Sequence, residues 1–273
     1  MNKIVFYGTS PFAAPSLKAL ASDGRFSIIG VITQPDRPVG RHAELTPTAV
    51  KQAALELGLP VFTSVNEMDE HKFDAAVVAS YGNIIPQSEL DLAPHRFLNV
   101  HASLLPKYRG ASPIREAIKN GDGETGVTIM EMDAKMDHGA ILKTYPLPIK
   151  PDATTPSLTE ELAELGAQHI GDVLAGVLDG SIKAVEQDHA AATFVKLIKK
   201  EDGLVDPDTM KPEDIERLVR ANDPWPGTYF MKDGKRVKIL AAHIENGALV
   251  MDSVQPEGKR PMSGPDFLRG HAR

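Results

Sequence analysis

Asn99 and His101 stand two residues apart at the end of the apolar run Phe97-Leu98-Asn99-Val100. On a strand, that spacing sends both side chains to one face. An amide there can donate a hydrogen bond to an oxygen that gains negative charge, and an imidazole can move a proton near neutral pH. Asp137 is the third candidate, a carboxylate able to orient the imidazole or steady its charged form. Each has a plain structural counterpart: a satisfied buried amide, a histidine that only hydrogen-bonds, and a turn-forming Asp. Order and context, rather than residue type, must separate the two.

The elements around these residues are those that could position them. Residues 97–100 end a buried strand, Pro106 stops regular pairing, Arg109-Gly110 makes a turn, and helical spacing resumes at Pro113 through Ile114 and Ile118. A proline-bounded loop after a strand is a rigid mount for chemistry. Asp137 lies in the loop 133–139, flanked by strand-like runs at 126–130 and 141–145.

Upstream, residues 3–9 predict a strand and Gly turn, and 11–20 a helix with Ser10 as its N-cap. A second strand is predicted at 26–33, a loop at 34–41 and a helix at 46–57. Strands follow at 61–62 and 73–79. This alternation is the signature of parallel βαβ units. The apolar stripe Leu158, Leu162, Leu165, Ile170, Val173, Leu174 and Val177 predicts one long helix from Thr155, stopped by Gly180. From 198 onward the texture changes to a linker, a short helix at 212–220 and strand pieces at 228–231, 237–242 and 248–252. Asp233-Gly234 and Asn246-Gly247 mark the turns between them.

Composition excludes several classes. The chain of 273 residues has no cysteine, so it offers neither disulfides nor thiolate metal ligands. G-x-G-x-x-G is absent after Gly8, as are a P-loop, H-E-x-x-H and G-x-S-x-G. Apolar runs are too short to span a bilayer, and a cytoplasmic protein is expected. A net charge of −7 argues against a coat for indiscriminate nucleic-acid binding. Yet Lys232, Lys235, Arg236, Lys238, Lys259, Arg260, Arg269 and Arg273 gather near the end, where a phosphate-rich partner could be met locally.

The stretch N-V-H-A-S-L-L-P-K-Y-R-G-A-S-P-I, from Asn99 to Ile114, resembles the signature of the folate-dependent formyltransferases. The resemblance extends to Ile4-Val5-Phe6-Tyr7-Gly8-Thr9, Thr33-Gln34-Pro35-Asp36-Arg37-Pro38, Tyr81-Gly82 with Ile85-Pro86, and Met136-Asp137 with Gly139. Late in the chain, Pro224-Trp225-Pro226 and Gln255-Pro256 with Gly258-Lys259 are similar to the tRNA-directed branch. It implies a Rossmann-like α/β domain with a mostly parallel sheet over 1–190, a linker at 191–204, and a small, OB-like but truncated β domain over 205–273.

The same resemblance implies catalytic roles for Asn99, His101 and Asp137. It places 10-formyltetrahydrofolate, as co-substrate, against Tyr81, Gly82, Ile84, Ile85, Ser103, Leu104, Leu105 and Pro106. Arg37, Arg41, Arg109 and Gly110 would contact the acceptor, methionyl initiator tRNA; no metal is called for, and a monomer is expected. An amino-sugar nucleotide is the alternative acceptor. Two departures stand out: His42-Ala43-Glu44-Leu45 where tRNA-directed members tend to carry lysines, and a C-terminal module short of strands.

Overall fold

The computed structural model describes residues 1–39, 44–68, 72–93 and 97–270, so Arg41, His42 and Arg273 lie outside the described residues. The chain runs β1 (Asn2–Gly8), α1 (Ala14–Ser22), β2 (Phe26–Ile32), β3 (Arg37–Val39), β4 (Glu44–Thr46), α2 (Ala49–Glu56), β5 (Val61–Phe62) and β6 (Ala75–Ala79). It continues through α3 (Gln87–Leu90), β7 (Phe97–His101), β8 (Arg109–Gly110), α4 (Pro113–Asn120), β9 (Glu124–Glu131), β10 (Ile141–Pro148), α5 (Thr155–Leu178) and β11 (Phe194–Val195). The last part comprises α6 (Pro212–Ala221), β12 (Thr228–Lys232), β13 (Lys235–Glu245), β14 (Ala248–Pro256), β15 (Met262–Ser263) and α7 (Gly264–Gly270). These residues form two compact units, one of 1–111, 126–147 and 159–194, the other of 112–125, 148–158 and 195–273.

The first unit holds a seven-stranded sheet in the order β10-β9-β7-β6-β1-β2-β5. β1 pairs in parallel with both β2 and β6, β6 pairs in parallel with β7, and β7 pairs antiparallel with β9. The parallel strands thus have the Rossmann order, with its topological switch point between β1 and β6. Ile4, Val5, Phe6 and Tyr7 are all fully buried, as a parallel sheet covered on both faces requires. On one face Val5, Tyr7, Val78, Tyr81, Ile85 and Phe97 share a core cluster.

Two details differ from expectation. α1 begins at Ala14 with Pro15 in its first turn rather than at an N-cap on Ser10, whose hydroxyl instead bonds Ser80 Oγ at 2.8 Å. The loop expected at 34–41 carries β3, which pairs back onto β4. Its short, proline-rich sequence has no period long enough to announce a strand.

The second unit contains the sheet β12-β13-β14-β15, paired in chain order. Val205, Ile215, Leu218, Phe230, Val237, Ile239, Val254 and Phe267 form its core. An open antiparallel meander of this size falls short of the five strands of an OB barrel, in keeping with the truncated module expected from the sequence. A buried polar knot ties α4, α6 and β12 together. Arg115 Nε donates to Asn222 Oδ1 at 2.7 Å, and Asn222 Nδ2 donates to Thr228 Oγ1 at 3.0 Å. The Thr228 hydroxyl donates to Leu218 O at 2.8 Å. Asn222 is fully buried, so Asn222→Ala takes the acceptor from Arg115 Nε and the donor from Thr228 Oγ1, and should lower unfolding stability by about 2–4 kcal/mol, read by urea denaturation.

Candidate active site

β7 ends by presenting Asn99 and His101 on one face, and both reach the same carboxylate. Asn99 Nδ2 donates to Asp137 Oδ1 at 3.3 Å, and His101 Nδ1 lies 3.6 Å from that oxygen. The other oxygen, Asp137 Oδ2, accepts from the backbone N–H of Gly110 at 2.7 Å. His101 Nε2 faces Tyr108 O at 3.0 Å. Both ring nitrogens therefore face oxygen atoms. The side chains of His101 and Asp137 are only 7% and 14% exposed, which strengthens these interactions relative to water.

Asp137 adopts φ = +47°, a left-handed conformation that only a few non-glycine residues, Asp among them, adopt with any frequency. Its loop is pinned at both ends. Asp133 Oδ2 pairs with His138 Nδ1 at 2.7 Å, and Gly139 packs so tightly that a Cβ would come 2.0 Å from Glu131 O. His138 also stacks on His189 at 4.0 Å between ring centroids.

The segments after β6 and β7 leave the sheet at the same, carboxyl edge of the parallel strands, where open α/β sheets bind ligands. Ser80 and Gly82 turn there with positive φ. Thr9 Oγ1 and Gln34 Nε2 both donate to Tyr81 O, at 2.8 and 2.9 Å. Tyr81 is buried, and burial pushes its phenol up from the ordinary range. Ile85 is buried too, whereas Ile84 is 89% exposed. A side chain at Gly82 would meet Gln34 Nε2 at 2.7 Å.

The segment after β7 is stapled by Thr128, which accepts from Leu105 N at 3.0 Å and donates to Ser103 O at 2.7 Å. Ser103 and Leu105 are buried, while Leu104 and Pro106 stay partly open. The structure thus brings Asn99, His101, Asp137 and Gly110 into direct contact. Arg109 is 3% exposed and its guanidinium turns inward to Gln187 and His189. Arg37 is exposed, and its Nη2 donates to Gln34 Oε1 at 2.5 Å. Thr128 was not singled out from sequence for a role at this site. Its signal was a lone hydroxyl inside an apolar strand. Gln187 lies in an aperiodic stretch that carried no signal.

A doubly wound sheet here sets an amide, an imidazole and a carboxylate in mutual contact, side chains of the kinds that can donate to a developing negative charge and move a proton in group transfer. Residues 1–174 match the Formyl transferase family, residues 197–248 match the Formyl transferase, C-terminal domain, and the chain belongs to the formyl transferase family. It is 43% identical to a methionyl-tRNA formyltransferase of Roseiflexus sp. (strain RS-1), over 98% of this chain and 92% of the relative. That alignment spans 300 positions against the 273 residues here, so the relative carries residues that this chain lacks.

Among solved structures, WlaRD, a sugar 3N-formyl transferase crystallised in the presence of dTDP and 5-N-formyl-THF, is similar with a TM-score of 0.73. The identity is 18%, over 95% of this chain and 99% of that one. A methionyl-tRNA formyltransferase from Clostridium thermocellum gives a TM-score of 0.61 at 18% identity, over 97% and 100% of the two chains. At that identity the likeness is one of fold. No helix among the described residues is long and apolar enough to cross a membrane.

The Thr128 staple is testable. Thr128 is fully buried, so Thr128→Val leaves a buried N–H and a buried carbonyl unpaired. Stability should fall by about 1–3 kcal/mol, measured by denaturant unfolding.

Proposed function

We propose that this enzyme transfers the formyl group of 10-formyltetrahydrofolate to the amino group of methionyl initiator tRNA, readying it for translation initiation. The observation that carries the acceptor assignment is the 43% identity to a methionyl-tRNA formyltransferase along 98% of the chain. An amino-sugar nucleotide acceptor is the weaker reading, since the sugar-directed likeness, at 18% identity, is one of fold.

When bound, the folate supplies an activated formyl carbon. Tyr81, Gly82, Ile84 and Ile85 would hold it on one side and Ser103, Leu104, Leu105 and Pro106 on the other. The residues fit such a group: an exposed apolar side chain at Ile84, a partly open Leu104, and polar backbone already consumed by Thr128. The Asn99 amide donates to the formyl oxygen as it gains charge, and the His101 imidazole steadies it alongside. Asp137 keeps the imidazole oriented and takes the proton that the attacking amine must lose, and as the bond from the formyl carbon to N10 breaks a proton returns to N10, so that tetrahydrofolate leaves as the neutral amine. Arg37 and Arg41 meet acceptor phosphates; Arg109 and Gly110, expected to touch the acceptor as well, instead serve the site from within, Arg109 through Gln187 and Gly110 through its N–H to Asp137.

We assign catalysis to residues 1–190 and acceptor binding to 205–273, joined by 191–204, in a monomeric cytoplasmic protein. In the second unit, Val237 and Ile239 point into the core while Arg236 and Lys238 alternate outward, and Lys232 and Lys235 face each other across the hairpin. These cations offer phosphate contacts despite the acidic net charge.

The test is formyl transfer to purified initiator Met-tRNA, run beside an amino-sugar nucleotide. Asn99→Ala should reduce kcat roughly 10²–10³-fold with folate affinity largely kept. Asp137→Asn should lower kcat by roughly 10³–10⁴-fold, leaving a measurable residual rate, yet preserve the fold, because Asn tolerates the same backbone conformation. Transfer to the sugar nucleotide alone would overturn the acceptor assignment.

A further inference from the structure

The conformation of Asp137 needs an explanation beyond its own contacts. A non-glycine residue in left-handed backbone, even an Asp, persists where its surroundings hold it there. The carboxylate is held by Asn99 and Gly110, but the backbone that aims it is held by a residue fifty positions later in the chain. Gln187 Nε2 donates to Asp137 O at 3.0 Å and to Gly139 O at 2.7 Å. Its Oε1 accepts from Arg109 Nε at 3.1 Å and from Arg109 Nη2 at 2.7 Å.

Three of these bonds are buried and the one to Asp137 O is partly so, with Gln187 5% and Arg109 3% exposed. The amide cannot be turned over. A flip would set its N–H₂ against guanidinium donors and its oxygen against two carbonyl oxygens. Arg109 is itself fixed, since its Nη2 donates to His189 Nδ1 at 2.9 Å and its backbone N–H donates to Thr193 O at 2.8 Å. Gly110, the next residue, delivers the N–H that binds Asp137 Oδ2.

We propose that Gln187 is a positioning residue for formyl transfer: anchored by Arg109, it clamps the carbonyls of Asp137 and Gly139 and so aims the Asp137 carboxylate at His101. This rests on the reading of Asp137 as a catalytic group. Only a primary amide puts one acceptor and two donors on a planar end of this length. Glutamate at 187 would keep, and strengthen, the bond to Arg109 while setting a carboxylate oxygen against two carbonyls. Its effect on packing is slight and its effect on aim is large.

The experiment compares Gln187→Glu, Gln187→Leu, Asp137→Asn and the double variant Gln187→Glu/Asp137→Asn. It reads steady-state kinetics together with amide hydrogen exchange. Gln187→Glu should keep KM for both substrates and lose kcat by roughly 10²-fold, the scale of a misplacement of about 1 Å. Exchange at the Gly110 N–H should speed up while amides of β1 and β6 stay protected. Gln187→Leu, which removes all four bonds without adding charge, should show the same pattern. The double variant should be no slower than Asp137→Asn, because Gln187 acts through Asp137.

Near-normal kcat in both Gln187 variants would overturn the proposal. So would a loss that multiplies with that of Asp137→Asn, or one that tracks a uniform loss of protection across the sheet. If Asp137→Asn alone kept full turnover, the catalytic reading would fall. Local loss of Gly110 protection in Gln187→Glu would still uphold the clamp.

Discussion

One carboxylate binds the site together. Asp137 takes a backbone N–H on one oxygen and faces an amide and an imidazole with the other, and these partners come from the end of β7 and from the turn at β8. Each partner depends on a different feature of the fold. β7 must sit beside β6 for the segments that follow both strands to share an edge. It must also pair antiparallel with β9, because the β9–β10 hairpin carries the Asp137 loop. The sheet order and the change of strand direction at β7 are thus the geometric conditions for that carboxylate to meet its neighbours.

Much of this was readable from the chain because it rests on short-range patterns. The two-residue spacing of Asn99 and His101 needs only strand periodicity, and the structure does place both against one carboxylate. α5 runs from Thr155 to Leu178, as the apolar stripe and Gly180 implied. The turns at Asp233-Gly234 and Asn246-Gly247 carry the positive φ that their residue types favour. What stayed hidden depends on contacts distant in sequence. Arg109 reads as a surface cation beside a turn, yet its guanidinium is buried, because Gln187, eighty residues or so downstream, supplies an acceptor that no local pattern reveals. Thr128 likewise looks like an ordinary strand residue until Ser103 and Leu105 are seen to share its hydroxyl.

The second unit builds a compact core from few strands. Its core is nearly all aliphatic and aromatic, and Arg115, Asn222 and Thr228 form a buried polar knot beside it. Strand alternation on β13 then leaves Arg236 and Lys238 on the outer face, with Arg236 stacked 4.6 Å over the ring of Tyr229. Charge is local here, so a chain with a net charge of −7 still carries a basic surface.

The two units are woven from alternating stretches of chain, with 112–125 and 148–158 belonging to the second although the first resumes after each. Such a weave has no single severable joint. A fragment beginning at residue 195 would lack α4, and with it the guanidinium that Asn222 receives; a fragment ending there would carry α4 stripped of its partner. Exchange of the C-terminal module is therefore constrained in this chain. Any graft has to preserve the surface of α4 as well as the residues that follow the long helix.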